Sequence, residues 1–147
     1  MKITVFNPTN KPTGLEKKNV IDFLFEHLQN YGDPKNHIEG AIDFAIKERV
    51  SFGGFVVVAY EKNEVVGAVV VNQTGMSGYI PENILVYIAA HKELRGRGVG
   101  KRLMEETLSL TSGDIALHVE KDNPAIKLYE KIGFTTPYME MRYKRKS

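Results

Sequence analysis

The feature that most constrains the fold of this chain is an apolar segment leading through closely spaced glycines into a helix. Residues 84–90, Ile-Leu-Val-Tyr-Ile-Ala-Ala, are almost wholly apolar and predict a buried strand. The turn Arg95-Gly96-Arg97-Gly98-Val99-Gly100 follows, and helical periodicity begins near Gly98 and stops at residues 112–114. Residues 115–119 predict another strand. A strand, a helix and a strand in this order predict a parallel, right-handed crossover.

Strand-forming runs and helical periodicity predict further elements on both sides of this unit. The other strands are predicted at residues 2–6, 55–60, 65–71 and 138–143, and the short link Glu61-Lys62-Asn63-Glu64 between the second and third of these predicts a β-hairpin. The other helices are predicted at residues 15–30, 35–48 and 123–133. The resulting order, β-α-α-β-β-β-α-β-α-β, predicts one α/β (α+β) domain over residues 1–147. We expect a mixed central sheet of about six strands with helices on both faces.

Composition excludes several classes of site. The 147 residues contain no cysteine, which excludes disulfides, a thiolate metal site and a cysteine nucleophile. We expect a cytoplasmic protein, because no apolar run approaches the ~20 residues that span a bilayer and no signal peptide is evident. The net charge of +2 argues against nucleic acid. The basic turn and the tail at 142–146 still leave a nucleic-acid module as an alternative.

The glycine-rich turn has the chemistry of an anion site. Glycines allow the backbone to approach a ligand closely, and the first N–H groups of a helix are free to bind it. Arg95, Arg97, Lys101 and Arg102 add positive charge, so a pyrophosphate is the natural ligand. The alternative is a glycine-rich turn with a solvated basic face. The spacing fits neither a Walker motif nor a dinucleotide-binding fingerprint.

Two motifs together carry a resemblance to a known family. Residues 95–100 match Gln/Arg-x-x-Gly-x-Gly/Ala, and residues 123–134 are close to Asn-x-x-Ala-x-x-Leu-Tyr-x-x-x-Gly-Phe. Both motifs occur in order and about 30 residues apart, so the chain resembles the GNAT N-acetyltransferase superfamily from about residue 54 onward. The resemblance implies a GNAT-like fold and direct transfer of an acetyl group from acetyl-CoA to a primary amine. It implies acetyl-CoA as co-substrate and no metal.

The resemblance also assigns roles to particular residues. It implies that the strands predicted at 84–90 and 115–119 splay apart and leave backbone groups unpaired. It also implies that the 88–90 segment meets the pantetheine arm and that the N–H groups of the turn hold the pyrophosphate. The implied CoA-binding residues are Ile88, Ala89, Ala90, Arg95, Gly96, Arg97, Gly98, Val99, Gly100, Lys101, Asn123 and Tyr129. Asn123 lies two residues before Ala125 where the family often has three, and Asp122 fills the other slot. Either Asn123 or Asp122 is therefore a candidate for the pantetheine contact.

Acetyl transfer needs a general acid for the departing thiolate and a base for the amine. The resemblance assigns the acid to Tyr129, although its spacing alone also fits a core tyrosine. His118 is the candidate base, because an imidazole titrates near neutral pH, and the alternative is a surface histidine. Glu82 and Tyr87 are weaker candidates for the base.

The sequence does not identify the acceptor. The resemblance indicates that the helices at 15–30 and 35–48 and the loop at 73–83 frame an acceptor pocket for a small molecule or peptide. His27 and His37 lie in these helices and are interpreted as solvated side chains. A regulatory module that binds acetyl-CoA without turnover is the alternative function. We expect a monomer or homodimer without nucleic-acid or membrane partners.

Overall fold

A five-stranded sheet with helices on both faces forms the structure, a computed structural model that describes residues 1–146. The strands are β1 (Lys2–Phe6), β2 (Gly54–Glu61), β3 (Glu64–Gln73), β4 (Asn83–Ala90) and β5 (Ile115–Leu117). The helices are α1 (Gly14–His27), α2 (Lys35–Ile46), α3 (Val99–Leu110) and α4 (Ile126–Ile132). Short 3₁₀ turns occupy Gln29–Tyr31 and Lys92–Leu94. This architecture confirms the predicted fold class.

The strands lie in chain order, β1-β2-β3-β4-β5, so every neighbour in the sheet is also a neighbour in sequence. The first four strands pair antiparallel, and β5 pairs parallel to β4. The β2–β3 hairpin was predicted, and its central residues Lys62 and Asn63 have φ of 49° and 65°. Two residues with positive φ give the turn type that best matches the twist of a hairpin. The parallel pairing of β4 and β5 across α3 confirms the predicted crossover unit.

Two apolar clusters lie on opposite faces of the sheet. Helices α1 and α2 pack on one face, around Val56, Val58 and Val70. Helices α3 and α4 pack on the other face, around Val57 and Val69. Since β2 and β3 are covered on both sides, their near-continuous apolar sequences follow directly. Each fully buried valine contributes about 1.5–3 kcal/mol through removal of its side chain from water.

Helix α1 is set in place by its own sequence and by its contacts with α2. Thr13 and Glu16 form a reciprocal capping box, with the Glu16 amide donating to Thr13 Oγ1 at 3.1 Å and the Thr13 amide donating to Glu16 Oε1 at 2.8 Å. Lys17 Nζ lies 2.6 Å from Asp43 Oδ1 on α2. These contacts fix α1 against α2 and so determine where the carboxyl end of α1 lies.

Helix α3 approaches the sheet very closely at one position of β3. A Cβ atom on Gly67 would lie 2.8 Å from Leu103 Cδ1 and 3.0 Å from Val99 Cγ1. Glycine inside a strand often marks such a close approach, because no side chain separates the backbone from its neighbour. Gly67 therefore sets the depth of α3 and with it the position of the amino end of this helix.

The carboxyl-terminal segment differs from the prediction. Residues 138–143 form no strand, so the sheet has five strands rather than about six, and β5 ends at Leu117 rather than residue 119. Tyr138, Met139, Met141 and Tyr143 are all exposed. Alternating sequence favours an extended chain, but a strand also requires a neighbouring edge with which to pair. Periodicity carries no information about that edge.

Candidate active site

Strands β4 and β5 separate halfway along β4 and leave part of its edge unpaired. Their pairing covers only Asn83–Leu85 with Ile115–Leu117, whereas β4 continues to Ala90. The separation coincides with a bulge in β4, because Val70 pairs with Tyr87 while Val71 pairs with Leu85. Val86 is therefore the extra residue. A bulge next to an unpaired edge is a common arrangement at active sites because it redirects backbone groups.

The open edge of β4 presents the backbone of two residues. The His91 amide donates to the Val66 carbonyl at 2.8 Å, in register with the pairs Ala90–Gly67 and Ile88–Val69. In an antiparallel ladder, alternate residues direct their N–H and C=O groups away from the partner strand. Ile88 and Ala90 therefore present their backbone groups toward the side that β5 leaves open. Ala89 directs its own groups toward β3.

The glycine-rich turn connects this open edge to the amino end of α3. Gly96 and Gly98 have φ of 83° and 84°, a conformation that favours glycine, and an added Cβ atom would meet open space at either residue. Gly98 is the N-cap residue of α3 and supplies no side-chain cap. The first helical bond is donated by the Arg102 amide to the Gly98 carbonyl at 3.0 Å. The amides of residues 99–101 therefore lack helical acceptors and are available to an anion.

The basic side chains of the turn point in different directions. The Arg95 guanidinium donates to the His27 carbonyl at 2.8 Å and to Gln29 Oε1 at 3.3 Å, so it is directed at the end of α1. Arg97 and Lys101 are exposed, and neither forms an ion pair with any residue of the 1–146 range. These two side chains are free to add positive charge beside the N–H groups of the turn.

Tyr129 lies on α4, close to the turn. Its side chain is 8% exposed and packs against Phe134, with ring centroids 6.1 Å apart. Residues 1–146 contain no enclosed side-chain nitrogen or oxygen without a hydrogen-bond partner, and the Tyr129 hydroxyl bonds to none of them. The hydroxyl therefore retains contact with solvent. Burial of the ring raises the pKa of Tyr129, so the phenol stays protonated at neutral pH.

Helix α4 is held against the turn by a small residue. A Cβ atom on Gly100 would lie 3.4 Å from Leu128 Cδ2, so α4 packs directly on the first turn of α3. Asn123 stabilises the start of α4, because its Oδ1 accepts from the Ala125 amide at 2.9 Å. Its side-chain nitrogen remains as a possible donor to a ligand. Asp122 meets Tyr31 only through its backbone carbonyl, which accepts from the Tyr31 hydroxyl at 3.4 Å.

His118 follows β5 directly and faces away from Tyr129. Leu117 and Val119 pack on the α3 face of the sheet, so the intervening His118 faces the α1 and α2 side. Its side chain is 73% exposed, and Nε2 lies 3.7 Å from Glu140 Oε1. The structure therefore brings Tyr129 and the turn together through the contact of α4 with the start of α3, whereas His118 lies on an exposed segment beside Glu140.

The two weaker candidates for the base have structural partners. Glu82 accepts from the Asp114 amide at 2.8 Å, and this bond lowers the pKa of the carboxyl. It holds the loop before β4 against the start of β5. The Tyr87 hydroxyl donates to Asp33 Oδ2 at 2.5 Å, and burial followed by this bond raises the pKa of Tyr87. A phenol with a raised pKa is a poor base near neutral pH.

The interpretation of His27 as a solvated helix residue was wrong. Its side chain is 2% exposed and packs between Phe23 and His91, whose ring centroids lie 4.5 and 4.2 Å from its own. The signal is present in the sequence, because Val20, Leu24 and His27 share one helical face, but the predicted apolar face does not include a histidine. A cleft of about 400 Å³ lies beside His27 and His91, separate from the glycine-rich turn.

Comparison with known proteins establishes the class of this chain. Residues 52–136 match the family model described as an acetyltransferase (GNAT) domain, which covers more than half of the chain. The chain belongs to the GNAT acetyltransferase family, and the family predicted from its two motifs is confirmed. Within residues 1–146, no helix is long and apolar enough to cross a bilayer.

Curated relatives share part of this sequence. N-alpha-acetyltransferase 30 of Schizosaccharomyces pombe is 31% identical over 96 residues, covering 62% of this chain and 60% of that protein. The 5-NmdU N-acetyltransferase of Pseudomonas phage PaMx11 is 30% identical over 84 residues, covering 56% of this chain and 58% of that protein. This chain therefore spans less than two thirds of the length of either relative.

Solved structures share the fold over nearly the whole chain. An aminoglycoside 6'-N-acetyltransferase from Acinetobacter haemolyticus has a TM-score of 0.70 at 13% identity, covering 100% of this chain and 99% of that one. Ard1 from Thermoplasma volcanium has a TM-score of 0.66 at 21% identity, with coverages of 92% and 84%. At these identities the structures demonstrate a common fold, and they do not show which substrate this chain uses.

Proposed function

We propose that this chain transfers an acetyl group from acetyl-CoA directly to the primary amine of a small molecule or peptide. One observation carries the proposal. The unpaired edge of β4 and the free amides at the start of α3 are joined by a short connection through the turn at Lys92–Leu94, and α4, which carries Tyr129, packs against the start of α3. This polar backbone track suits an extended ligand with an amide-containing arm and a pyrophosphate.

The donor is held mainly by backbone groups. In the proposed complex, the amides of Gly96 and of residues 98–101 bind the pyrophosphate, and the side chains of Arg97 and Lys101 contribute charge. The Arg97 amide itself already donates to the Leu94 carbonyl at 3.2 Å. Each charge-assisted hydrogen bond contributes about 1.5–3 kcal/mol. The amide groups of the pantetheine arm pair with Ile88 and Ala90, whose N–H and C=O groups have no partner strand. Asn123 supplies a side-chain donor from α4.

The thioester carbonyl then lies near the β4 bulge. Negative charge develops on its oxygen as the amine attacks, and a fixed backbone donor stabilises that charge without reorganisation. The Ile88 amide is suited to this role, because the ladder leaves it directed into the open space between β4 and β5.

Tyr129 is the proposed general acid. The thiolate of CoA leaves more readily when it is protonated, and the Tyr129 hydroxyl has a proton to give and no competing partner among residues 1–146. Because burial raises its pKa, this phenol keeps its proton over the whole neutral range and regains it easily from solvent. Tyr129 therefore acts at the thiol end of the reaction.

His118 is the proposed base at the opposite opening of the cleft. An amine that is an ammonium ion in neutral solution must lose a proton before attack. His118 is exposed on the α1 and α2 side, where an acceptor reaches the cleft without crossing the CoA site. In this proposal, CoA and the acceptor amine therefore approach the acetyl group from different faces of the sheet.

The acceptor class follows from chemistry shared with the relatives. The named relatives include an N-alpha-acetyltransferase and a 5-NmdU N-acetyltransferase, and both names specify transfer to nitrogen. We extend that specificity to this chain as a primary amine acceptor. Loop 73–83 and the ends of α1 and α2 form the acceptor walls in this proposal.

Ligand binding followed by thiol release tests the function. At about 100 times its dissociation constant, acetyl-CoA should stabilise the protein by about 2.7 kcal/mol in a thermal-shift assay. An amine panel is then screened for free thiol. Binding without thiol release from any amine favours the alternative, a regulatory module that senses acetyl-CoA. No stabilisation by any CoA ester contradicts both functions.

A further inference from the structure

A buried histidine joins the end of α1 to the segment that begins the glycine-rich turn. His27 is 2% exposed, and its Nδ1 accepts a hydrogen bond from the Lys92 amide at 3.2 Å. Its Nε2 lies 2.8 Å from Glu26 Oε2. Since Nδ1 is an acceptor and Nε2 faces a carboxylate, the hydrogen-bond network assigns the neutral imidazole with its proton on Nε2.

The same helix end binds the first residue of the turn. The Arg95 guanidinium donates to the His27 carbonyl at 2.8 Å and to Gln29 Oε1 at 3.3 Å. The His27 carbonyl belongs to the last turn of α1, whose carbonyls have no helical donors and attract cations. Backbone and side chain of His27 thus hold the connection between β4 and α3 at two points, Lys92 and Arg95.

His91 completes the contact from the other side. Its ring lies 4.2 Å from that of His27, and its Nδ1 accepts from the Glu93 amide at 3.2 Å, which starts the 3₁₀ turn. The end of α1 therefore contacts the connection between β4 and α3 at three residues, His91, Lys92 and Arg95.

We propose that His27 is a positioning residue for the CoA site, which in its neutral form holds the glycine-rich turn in the geometry that binds the pyrophosphate. This inference rests on the proposed function, since it assumes that CoA binds at the turn. His27 does not touch the ligand in this account. It acts through the Lys92 amide and Arg95, and its protonation weakens donor binding.

Protonation breaks the arrangement for two reasons. An imidazolium donates from both nitrogens, so Nδ1 no longer accepts from Lys92 and instead faces another donor. Lys92 and Arg95 also oppose the new positive charge, whereas Glu26 favours it. The charged and titratable groups that face His27 are Glu26 and Asp22 from α1, His91, Lys92 and Arg95 from the β4–α3 connection, and Glu64 across the cleft.

The direction of the pH effect follows from this environment. Burial, followed by His91, lowers the pKa of His27 from its ordinary value of 6.5, while Glu26 opposes the shift. The neutral form therefore prevails at and above neutral pH and is lost as the pH falls through a value below 6.5. CoA affinity should be constant at the alkaline end and should decline on the acid side of that value.

Calorimetric titration of CoA into wild type and His27→Asn tests the inference. The asparagine carbonyl oxygen occupies nearly the position of Nδ1, so it accepts from Lys92 and does not titrate. From about pH 8 to about pH 5, wild type should lose about five- to tenfold in affinity relative to His27→Asn. Taking the ratio removes titration of the CoA phosphates. His37→Asn, an exposed site on α2, should follow wild type.

Two results overturn the inference separately from the proposed function. If wild type binds CoA at about pH 8 but both proteins lose affinity in parallel toward acid pH, His27 does not position the turn. If wild type binds no CoA at about pH 8, the proposed function fails and this inference with it. Circular dichroism at each pH confirms that both proteins are folded during the titration.

A reciprocal measurement on wild type needs no variant. If neutral His27 favours CoA, then saturating CoA must favour neutral His27 by the same factor. The imidazole resonances of His27, followed by NMR across the same pH range, should titrate at lower pH with CoA than without it. An unchanged midpoint overturns the inference even if His27→Asn does not fold.

Discussion

A tyrosine at ordinary helical spacing acquires a chemical role from what surrounds its hydroxyl. The ring of Tyr129 is buried in the apolar cluster under α3, as a core tyrosine would be. Its hydroxyl has no partner in residues 1–146 and is not enclosed, which is unusual for a structural tyrosine. The core and catalytic interpretations of the sequence are therefore compatible, since the ring stabilises α4 while the hydroxyl reaches solvent.

Replacement of Tyr129 by phenylalanine should separate these two roles. The ring remains, so stability and CoA affinity should stay close to wild type. Turnover, measured as thiol release with an active amine, should fall about 10- to 100-fold because the acid is lost. Tyr143→Phe, at an exposed position in the tail, is the matched control and should turn over normally. Full activity of Tyr129→Phe would remove this residue from the mechanism.

His118 and Tyr87 offer a paired test of the base. His118→Gln should lower turnover at least about 10-fold without affecting CoA affinity, because the amine then lacks a proton acceptor. Tyr87→Phe should change turnover much less, since its hydroxyl is already a donor to Asp33. Steady-state rates with one amine, measured for both variants, decide between them. The opposite ranking would transfer the base to Tyr87.

His27 shows what sequence patterns miss at the scale of single residues. The sequence favours a solvated His27 side chain, whereas its burial follows from a tertiary contact with His91, which lies 64 positions away. Periodicity reports which face of a helix is buried, but it does not report which polar side chain finds a partner there. The direction of the Arg95 side chain is a tertiary property of the same kind.

At the scale of elements, α3 is the component whose placement matters most to the site. Its amino end supplies the proposed anion amides, and its depth is set by contact with β3 at Gly67. The sequence predicted β3, α3 and the turn between β4 and α3, because long apolar runs and closely spaced glycines are strong local signals. It did not indicate that the glycine within β3 exists to admit α3.

Gly67→Ala should therefore destabilise the protein and weaken CoA binding together. The added methyl group overlaps Leu103 and Val99 and should cost about 1–3 kcal/mol of unfolding free energy, measured in urea. Gly14→Ala is the control, because its Cβ atom meets open space at the start of α1. That variant should be neutral or stabilised by about 0.4–1 kcal/mol. Equal effects at both positions would contradict the packing account.

The carboxyl-terminal segment shows the limit of element prediction. Residues 138–143 alternate as a strand would, yet they belong to no strand of the structure. The β2–β3 hairpin was predicted correctly because its two strands and their turn are adjacent in sequence, so the pairing partner was visible. The partner of a terminal strand is distant in sequence, and local pattern does not determine whether its edge is available.

At the scale of the whole molecule, stability should decline in two stages as the pH falls. His27 has a pKa below its ordinary 6.5, so the first loss begins under that value. Asp22, held by Lys18 and Lys35, and Glu82 have pKa values lowered from 3.8 and 4.5. Their contribution is complete above those values and disappears as the pH passes below them. Urea midpoints across this range measure both stages, and a constant midpoint would contradict the assignment.

The family, the fold class and the order of the elements could be predicted from sequence because they rest on local motifs and periodicity. The separation of β4 from β5 was expected only through the resemblance. It depends on a bulge at Val86, and no residue type in this segment predicts a bulge. The positions of Tyr129, on the helix packed against the turn, and of His118, on an exposed segment, are tertiary properties that the sequence pattern does not give. The identity of the acceptor amine requires a measurement.

The proposed function requires that CoA binds along the open edge of β4 and the start of α3. Titration of ¹⁵N-labelled protein with CoA, followed through backbone amide resonances, tests this directly. The largest changes in amide chemical shift are expected at residues 86–90 and 96–101. Shifts confined to the cleft beside His27 and Glu64, or the absence of any shift at saturating CoA, would contradict it.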